Sequence, residues 1–319
     1  MGGASGQRVS DLDETELIAR FAPLLPFGAA TQVGPGDDAA VIAAPDGRVV
    51  VTTDLLVEDH HFRRHWGSAE DVGHRAAAQN LADVAAMGGT PTGLVVGLVL
   101  PPDTEVDWVL GFAAGLAAGC GERIGVVGGD LSAGERLMVA VTAFGDLGGR
   151  EPVLRSGARP GDVVAHSGRL GWAATGYAAL EADRTAEAND AVAAFLRPDP
   201  PLADGSAAAG AGATSLLDVS DGLLRDAGRI AAASGVAIDL DSTTLVDDVV
   251  AAAAAALDLD PLTLALTGGE DHGLLATFPP GTDLPGGYRS IGRVLAGTRV
   301  TVDDGAPPVQ GLGWDHFRA

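Results

Sequence analysis

The apolar and polar positions of this chain change period along its length, and the changes mark out its elements. Glu14–Phe21 repeats with helical spacing, with Asp11 or Asp13 placed to cap it. Ala39–Ile42 and Arg48–Thr53 read as strands separated by a Pro45-Asp46-Gly47 turn. Across Asp71–Met87, the residues Val72, Arg75, Ala76, Gln79, Asn80, Asp83 and Val84 recur at helical spacing. Leu94–Leu100 predicts a strand, Glu105–Gly119 an Ala-rich helix, and Gly125–Gly128 and Arg136–Phe144 two further strands.

The pattern shifts near Gly148-Gly149-Arg150. Beyond it, Val163–His166, Leu216–Val219, Ala237–Leu240, Leu274–Phe278 and Arg289–Val294 predict strands. Trp172–Ala182 and Gly222–Ser234 predict helices, the alanines at 251–256 suit another, and the Gly-Ala stretch 206–214 suits a small-residue helix or a loop. The alternation has no clean βαβ period, which predicts an α+β / α/β two-domain chain. The expected division is a flexible tail over 1–10, an N-terminal domain over 11–148 and a C-terminal domain over 149–319. No internal repeat is detectable.

Composition narrows the function. The chain of 319 residues is 46% hydrophobic but only 4% aromatic, so its cores must be built from Ala, Val and Leu. Its 46 glycines are about twice the usual share, which fits many tight turns. A net charge of −23 argues against nucleic acid as a partner. It leaves a small phosphorylated ligand open, because a bound cation inverts the local field; solubility accounts for the rest. The single Cys120 excludes a disulfide framework within the chain and fits a reducing, cytoplasmic setting. The apolar run at Gly93–Leu100 stops at Pro101-Pro102, short of membrane-spanning length, so no membrane partner is expected.

Acidic clusters punctuate the chain, mostly beside glycine or at the ends of apolar runs, and no matching run of Lys or Arg faces them. Asp38 lies in Gly36-Asp37-Asp38-Ala39, and Thr52-Thr53-Asp54 closes a strand of valines with two hydroxyls and a carboxylate. Asp83 shares a helix face with Asn80. Asp130 follows Gly128-Gly129, Asp218 and Asp221 bracket Ser220 ahead of a helix opened by Gly222, and Glu270 and Asp271 follow Gly268-Gly269. Carboxylates and hydroxyls are hard oxygen ligands suited to a divalent cation, with phosphate its natural companion. Each cluster also has a plainer reading. Gly-Asp-Asp can be a turn, Ser220 and Asp221 a helix cap, and Asp83 part of a solvated face. The histidines, including His60 and His61, show no ligand spacing of their own. No Gly-x-x-x-x-Gly-Lys-Ser/Thr loop and no Cys or His zinc signature is present.

Taken in order, these segments resemble the thiamine-monophosphate kinase family of the aminoimidazole ribonucleotide synthetase-like superfamily. The resemblance rests on Gly36-Asp37-Asp38-Ala39, Thr53-Asp54-Leu55-Leu56-Val57, His61-Phe62 and the run from Asn80 to Gly88. It continues through Gly128-Gly129-Asp130, Arg155 to Asp162, Asp218 to Leu223, Leu266 to Asp271 and Trp314-Asp315-His316-Phe317.

The resemblance implies an N-terminal α+β domain contributing to a β-barrel in a homodimer, a C-terminal α/β domain, and a nucleotide site in the cleft between them. It implies transfer of the γ-phosphoryl group of ATP to thiamine monophosphate, with Mg²⁺ held by Asp38, Thr52, Thr53, Asp54, Asp83, Asp130, Asp218 and Asp221. Gly129, Asp130, Arg155 and Ser220 would contact the nucleotide, and Asp54, Asp130 and Arg155 would carry the catalysis. His61, Glu270 and Trp314 would receive thiamine monophosphate, the indole suiting a cationic thiazolium.

Two departures stand out: Thr52 where the family often has Ser, and His272-Gly273 where it often has Tyr-Glu. A sibling synthetase is one alternative, although a selenophosphate synthetase would need a reactive Cys near its N-terminus, unlike Cys120. A non-catalytic nucleotide-binding regulator is another, and it predicts lost carboxylates where none is lost.

Overall fold

A computed structural model describes residues 6–35 and 39–314, so Asp38 and residues 315–317 lie outside the described residues. The chain divides into two compact units: Met1–Leu81 with Pro91–Asp146, and Ala82–Thr90 with Leu147–Ala319.

In the first unit, helix α1 (Glu14–Phe21) begins with a reciprocal cap. Asp13 accepts from the Glu16 N–H at 2.8 Å, and the Glu16 carboxylate accepts from the Asp13 N–H at 3.1 Å. Strands β1 (Thr31–Val33) and β2 (Val41–Ile42) form a small antiparallel ribbon. There follow β3 (Val50–Val57), α2 (Ala69–Ala86), β4 (Thr90–Leu100), α3 (Val106–Cys120), β5 (Gly125–Ala133) and β6 (Met138–Asp146). The last four strands of this set form one sheet in the order β3-β6-β4-β5. Helices α2 and α3 meet through glycine: a Cβ on Gly115 would lie 2.0 Å from the Glu70 carbonyl oxygen, and one on Gly73 2.0 Å from that of Phe112.

Pairing carries two of these strands past their expected ends. β3 runs to Val57 because it pairs with β6 from Val50↔Gly145 to Val57↔Met138. β5 runs to Ala133 because it lies parallel to β4, with Asp130 opposite Gly97. Thr52-Thr53-Asp54 and Gly128-Gly129-Asp130 therefore sit within strands rather than at their ends. Alternation buries Leu56 on one face of β3 and leaves Val51 and Leu55 exposed on the other, at 58% and 52%.

The second unit contains β7 (Val163–Ser167), α4 (Trp172–Glu181), α5 (Asn189–Leu196), α6 (Leu202–Gly210), β8 (Ser215–Val219) and α7 (Leu223–Ser234). It continues with β9 (Ala237–Leu240), α8 (Asp248–Ala256), α9 (Pro261–Thr267), β10 (Gly273–Phe278), β11 (Tyr288–Leu295) and β12 (Val300–Val302). Its sheet runs β12-β9-β11-β7-β10-β8, parallel at β12–β9 and antiparallel between its other neighbouring strands. The core between this sheet and α7 is aliphatic: Leu217, Val219, Leu224, Ile230, Ile238 and Leu275 are buried together. The Gly-Ala stretch is helical in its first half, within α6. Helices α5 and α9 carry no clear period because they are short. α9 is started instead by Asp260, which accepts from the Thr263 N–H, with Pro261 at the first helical position. Among the described residues no single helix is long and apolar enough to cross a membrane.

Candidate active site

In the first unit the site is built on two strands and one helix. Alternation along β3 puts Thr52 and Asp54 on the face toward α2 and Thr53 on the other. There the Thr53 hydroxyl donates to the Val141 carbonyl at 2.8 Å, so it does not share a face with the other two. Asp54 is held by α2: its N–H donates to Asn80 Oδ1 at 3.0 Å, and Gln79 Nε2 lies 3.4 Å from its carboxylate. Asn80 is itself fixed by donating to the Ala76 carbonyl at 2.9 Å. Both amides are buried. Gln79 was legible in the sequence only as one more position on the helix; its role appears once β3 lies beside α2.

On β5, Gly129 approaches β4 so closely that a Cβ would stand 2.1 Å from the Val96 carbonyl oxygen. Asp130 is exposed, and Ser132 Oγ lies 3.3 Å from its carboxylate. Gly128, Gly129 and Asp130 are among the residues lining a cavity of about 390 Å³. Ile18, Phe21, Val109 and Phe112 make its apolar wall. His61 follows β3 in a turn, and its Nδ1 accepts from the Val57 N–H at 3.1 Å, which leaves the ring proton on Nε2 in the neutral form.

In the second unit several predicted residues come together around one turn. Asp218 is buried near the end of β8, and His272 Nδ1 lies 3.3 Å from its carboxylate. The Ser220 carbonyl accepts from the Glu270 N–H at 2.9 Å, and the Asp221 carbonyl accepts from the Trp314 N–H at 2.9 Å. Gly313 passes so near the turn that a Cβ there would lie 2.0 Å from the Asp221 oxygen. Main-chain hydrogen bonds thus tie Ser220 and Asp221 to Glu270 and Trp314, although these residues are far apart in sequence. The Trp314 side of the turn is open, with that residue 48% exposed. Glu270 and His272 both hold positive φ, 70° and 51°, a conformation that non-glycine residues adopt at a cost and that concentrates at functional sites.

The neighbouring acids divide the work. Asp271 faces inward, accepting from the Gly171 N–H at 2.6 Å and the Ala173 N–H at 2.7 Å, and so fixes the start of α4. Burial pushes its pKa up to about 6 against those two hydrogen bonds. Asp226, which sequence reasoning missed, is fully buried one turn into α7, and burial raises it likewise to about 6 against the nearby Arg229. Arg229 bridges the Asp226 and Asp221 carboxylates. Asp83 is half-buried on α2, and Arg155 is exposed in the loop before β7.

Among the described residues no three His, Cys, Asp or Glu side chains form a ready-made metal cluster. The expected ligands instead stand on separate elements: Thr52, Thr53, Asp54 and Asp130 in the first unit, Asp83, Asp218 and Asp221 in the second. Their donors are all oxygen. That chemistry fits Mg²⁺, which is commonly bound by a few carboxylates together with substrate phosphates and water rather than by a protein cage.

Residues 36–147 match the family described as AIR synthase related protein, N-terminal domain, and residues 159–304 match the corresponding C-terminal domain. Fold and site thus define an AIR synthase-related protein. A thiamine-monophosphate kinase of Mycobacterium tuberculosis is 46% identical over 312 residues, covering 97% of this chain and 93% of the relative. One of Corynebacterium glutamicum is 39% identical over 325 residues, covering 98% and 96%. The structure of AaThiL complexed with AMPPCP and TMP superposes with a TM-score of 0.77 at 32% identity, covering 98% of this chain and 100% of that one. The chain belongs to the thiamine-monophosphate kinase family.

Proposed function

We propose that this protein is an ATP-dependent thiamine-monophosphate kinase. A phosphate oxygen of thiamine monophosphate attacks the γ-phosphorus of ATP, the bond to the β,γ-bridging oxygen breaks, and thiamine diphosphate and ADP leave. The observation that carries this reading is the turn at Ser220-Asp221, where residues expected to meet nucleotide, cation and thiamine are fastened to one another through the main chain.

The attacking oxygen is already ionised near neutral pH, so the protein needs no strong general base. Its task is to bring two anions together in line. Mg²⁺, when bound, neutralises phosphate charge; Asp38, Thr52, Asp54, Asp83, Asp130, Asp218 and Asp221 are the residues whose side chains would hold it, while the Thr53 hydroxyl is turned away to the Val141 carbonyl. Gly129 and Ser220 offer small, close-approaching backbone to the phosphates, and Arg155 a guanidinium that can grip two oxygens at once. The apolar cavity lined in part by Gly128-Gly129-Asp130 suits the purine base. His61, Glu270 and Trp314 receive thiamine monophosphate, with the indole face against the cationic ring.

The exposed apolar residues Val51 and Leu55 on an edge strand support a homodimer formed through that sheet face. ATP as donor and the single Cys120 support a cytoplasmic setting. A thiol-dependent sibling activity finds no support, since Cys120 is buried and its pKa is pushed up to about 12.

The test is direct. Purified protein with ATP, Mg²⁺ and thiamine monophosphate is expected to form thiamine diphosphate. Product from free thiamine, with none from the monophosphate, would overturn the substrate assignment.

A further inference from the structure

We infer that helix α7 is the strut that positions both phosphate-side loops of the second unit, with Asp226 holding the Ser220-Asp221 turn and Ser234 holding the loop that carries Arg155. The inference rests on the reading that Arg155, Ser220 and Asp221 meet ATP and its cation, and it concerns residues that do not touch the reactants themselves.

At the start of α7, Asp226 Oδ2 accepts from the Ser220 N–H at 3.1 Å and from the Asp221 N–H at 3.0 Å. Its Oδ1 accepts from Arg229 Nη1 at 2.5 Å, and Arg229 Nη2 reaches the Asp221 carboxylate. The carbonyls of Ser220 and Asp221 are taken by Glu270 and Trp314. Both N–H and both C=O groups of the turn are therefore bonded, and Asp226 supplies the only side of that grip that comes from a buried side chain.

At the other end, Ser234 is the last residue of α7. Its hydroxyl donates to the Arg155 carbonyl at 2.9 Å and accepts from the Gly157 and Ala158 N–H groups at 3.1 and 3.2 Å. Gly157 is pressed against Thr214 so tightly that a Cβ would lie 1.8 Å from the Thr214 carbonyl oxygen.

The helix is seated in the core by Leu223 and Leu224 just before the first anchor and by Ala227, Ile230 and Ala231 between the two. The eight-residue step from Asp226 to Ser234 therefore fixes the anchors roughly 12 Å apart along the axis. Arg155 has an exposed side chain; fixing its main chain limits the space its guanidinium samples. A group that must meet a transferring phosphoryl loses about 10²-fold for a misplacement near 1 Å.

The experiment compares Ser234→Ala, Ser234→Thr and Asp226→Asn with wild type, using Arg155→Ala as reference. The readouts are kcat and KM for each substrate, calorimetric binding of a non-hydrolysable ATP analogue with Mg²⁺, and Tm. Ser234→Ala is expected to lower kcat/KM for ATP by about 10- to 100-fold, the usual size for a residue that orients a functional group. KM for thiamine monophosphate should barely move, while Tm falls by a few degrees as the Gly157 and Ala158 N–H groups lose their acceptor. Ser234→Thr keeps the oxygen and should restore most of the loss. Asp226→Asn presents an NH₂ to donors and should weaken analogue binding about tenfold or more.

Ser234→Ala with kcat/KM for ATP within twofold of wild type, while Arg155→Ala is severely impaired, would overturn the inference. Equal losses for both substrates would overturn it as well, showing a merely structural serine. An unimpaired Arg155→Ala would instead remove the reading of Arg155 on which the inference stands.

Discussion

Neighbouring acids in this chain do opposite work, and only their surroundings separate them. Glu270 is half-buried beside the Ser220 turn, while Asp271 caps α4 from within the core. Its pKa of about 6 has a stability consequence. A carboxyl whose folded value lies above its unfolded value binds its proton more tightly when folded. Stability therefore falls as pH rises from the unfolded to the folded value, about 4 to about 6, and is level above that. Asp271→Asn removes the titration. Its stability relative to wild type should improve by up to about 3 kcal/mol between pH 4 and 6.5, two units at about 1.4 kcal/mol each. Urea unfolding at both pH values measures this, and a difference that stays constant with pH contradicts it. Among the exposed and half-buried acids the expectation concerns chemistry instead. Asp54→Asn and Asp130→Asn should each reduce turnover to near background while leaving the circular dichroism spectrum and Tm as in wild type. Near-normal activity in both would sink their assignment as cation ligands.

At the scale of elements, strand pairing decides which side chains act together. The sequence showed Thr52-Thr53-Asp54 as a cluster, and β3 separates it: Thr52 and Asp54 turn toward α2 while Thr53 turns to the opposite face. That opposite face is apolar at Val51 and Leu55, and β3 is an edge of its sheet. A second copy covering it would remove both the edge and the patch from water. Leu55→Asp places a charge on that face without disturbing the buried Leu56. If the two copies of the proposed dimer meet through this face, the variant runs as a monomer in light scattering after size exclusion while the wild type runs as a dimer. A variant that keeps the wild-type mass would argue that the two copies meet elsewhere or not at all.

At the scale of the molecule, the charge of −23 sets a general condition. Self-repulsion among fixed charges opposes compact folding and is screened by salt. Tm should rise by a few degrees between roughly 20 and 200 mM NaCl, where the Debye length falls from about 20 to about 7 Å. Mg²⁺ at millimolar concentration should raise it further than an equal ionic strength of NaCl, because binding to the folded form adds to screening. Scanning calorimetry separates the two, and identical curves at matched ionic strength would show that Mg²⁺ acts only as a screening ion.

Much of the fold was written locally. α1 with its Asp13 cap, and the long helices α2 and α3, follow from periodicity and capping chemistry that a few consecutive residues carry. The ordered acidic motifs likewise pointed to a family and an activity, because their residue types and spacing survive without any knowledge of packing. What the sequence left open depends on partners distant along the chain. The ends of β3 and β5 are set by hydrogen bonds to β6 and β4. Short helices such as α5 and α9 have too few turns to show a period. Asp226 looked like an ordinary helix residue until the Ser220-Asp221 turn folded back over it, and Ser234 like a helix terminus until the Arg155 loop closed on its hydroxyl. Sequence alone determined the longer elements and the reactive groups, because propensity and chemistry are local. Tertiary structure decided which of those groups are held, and by what, because burial and hydrogen bonding between distant segments exist only once the chain is packed.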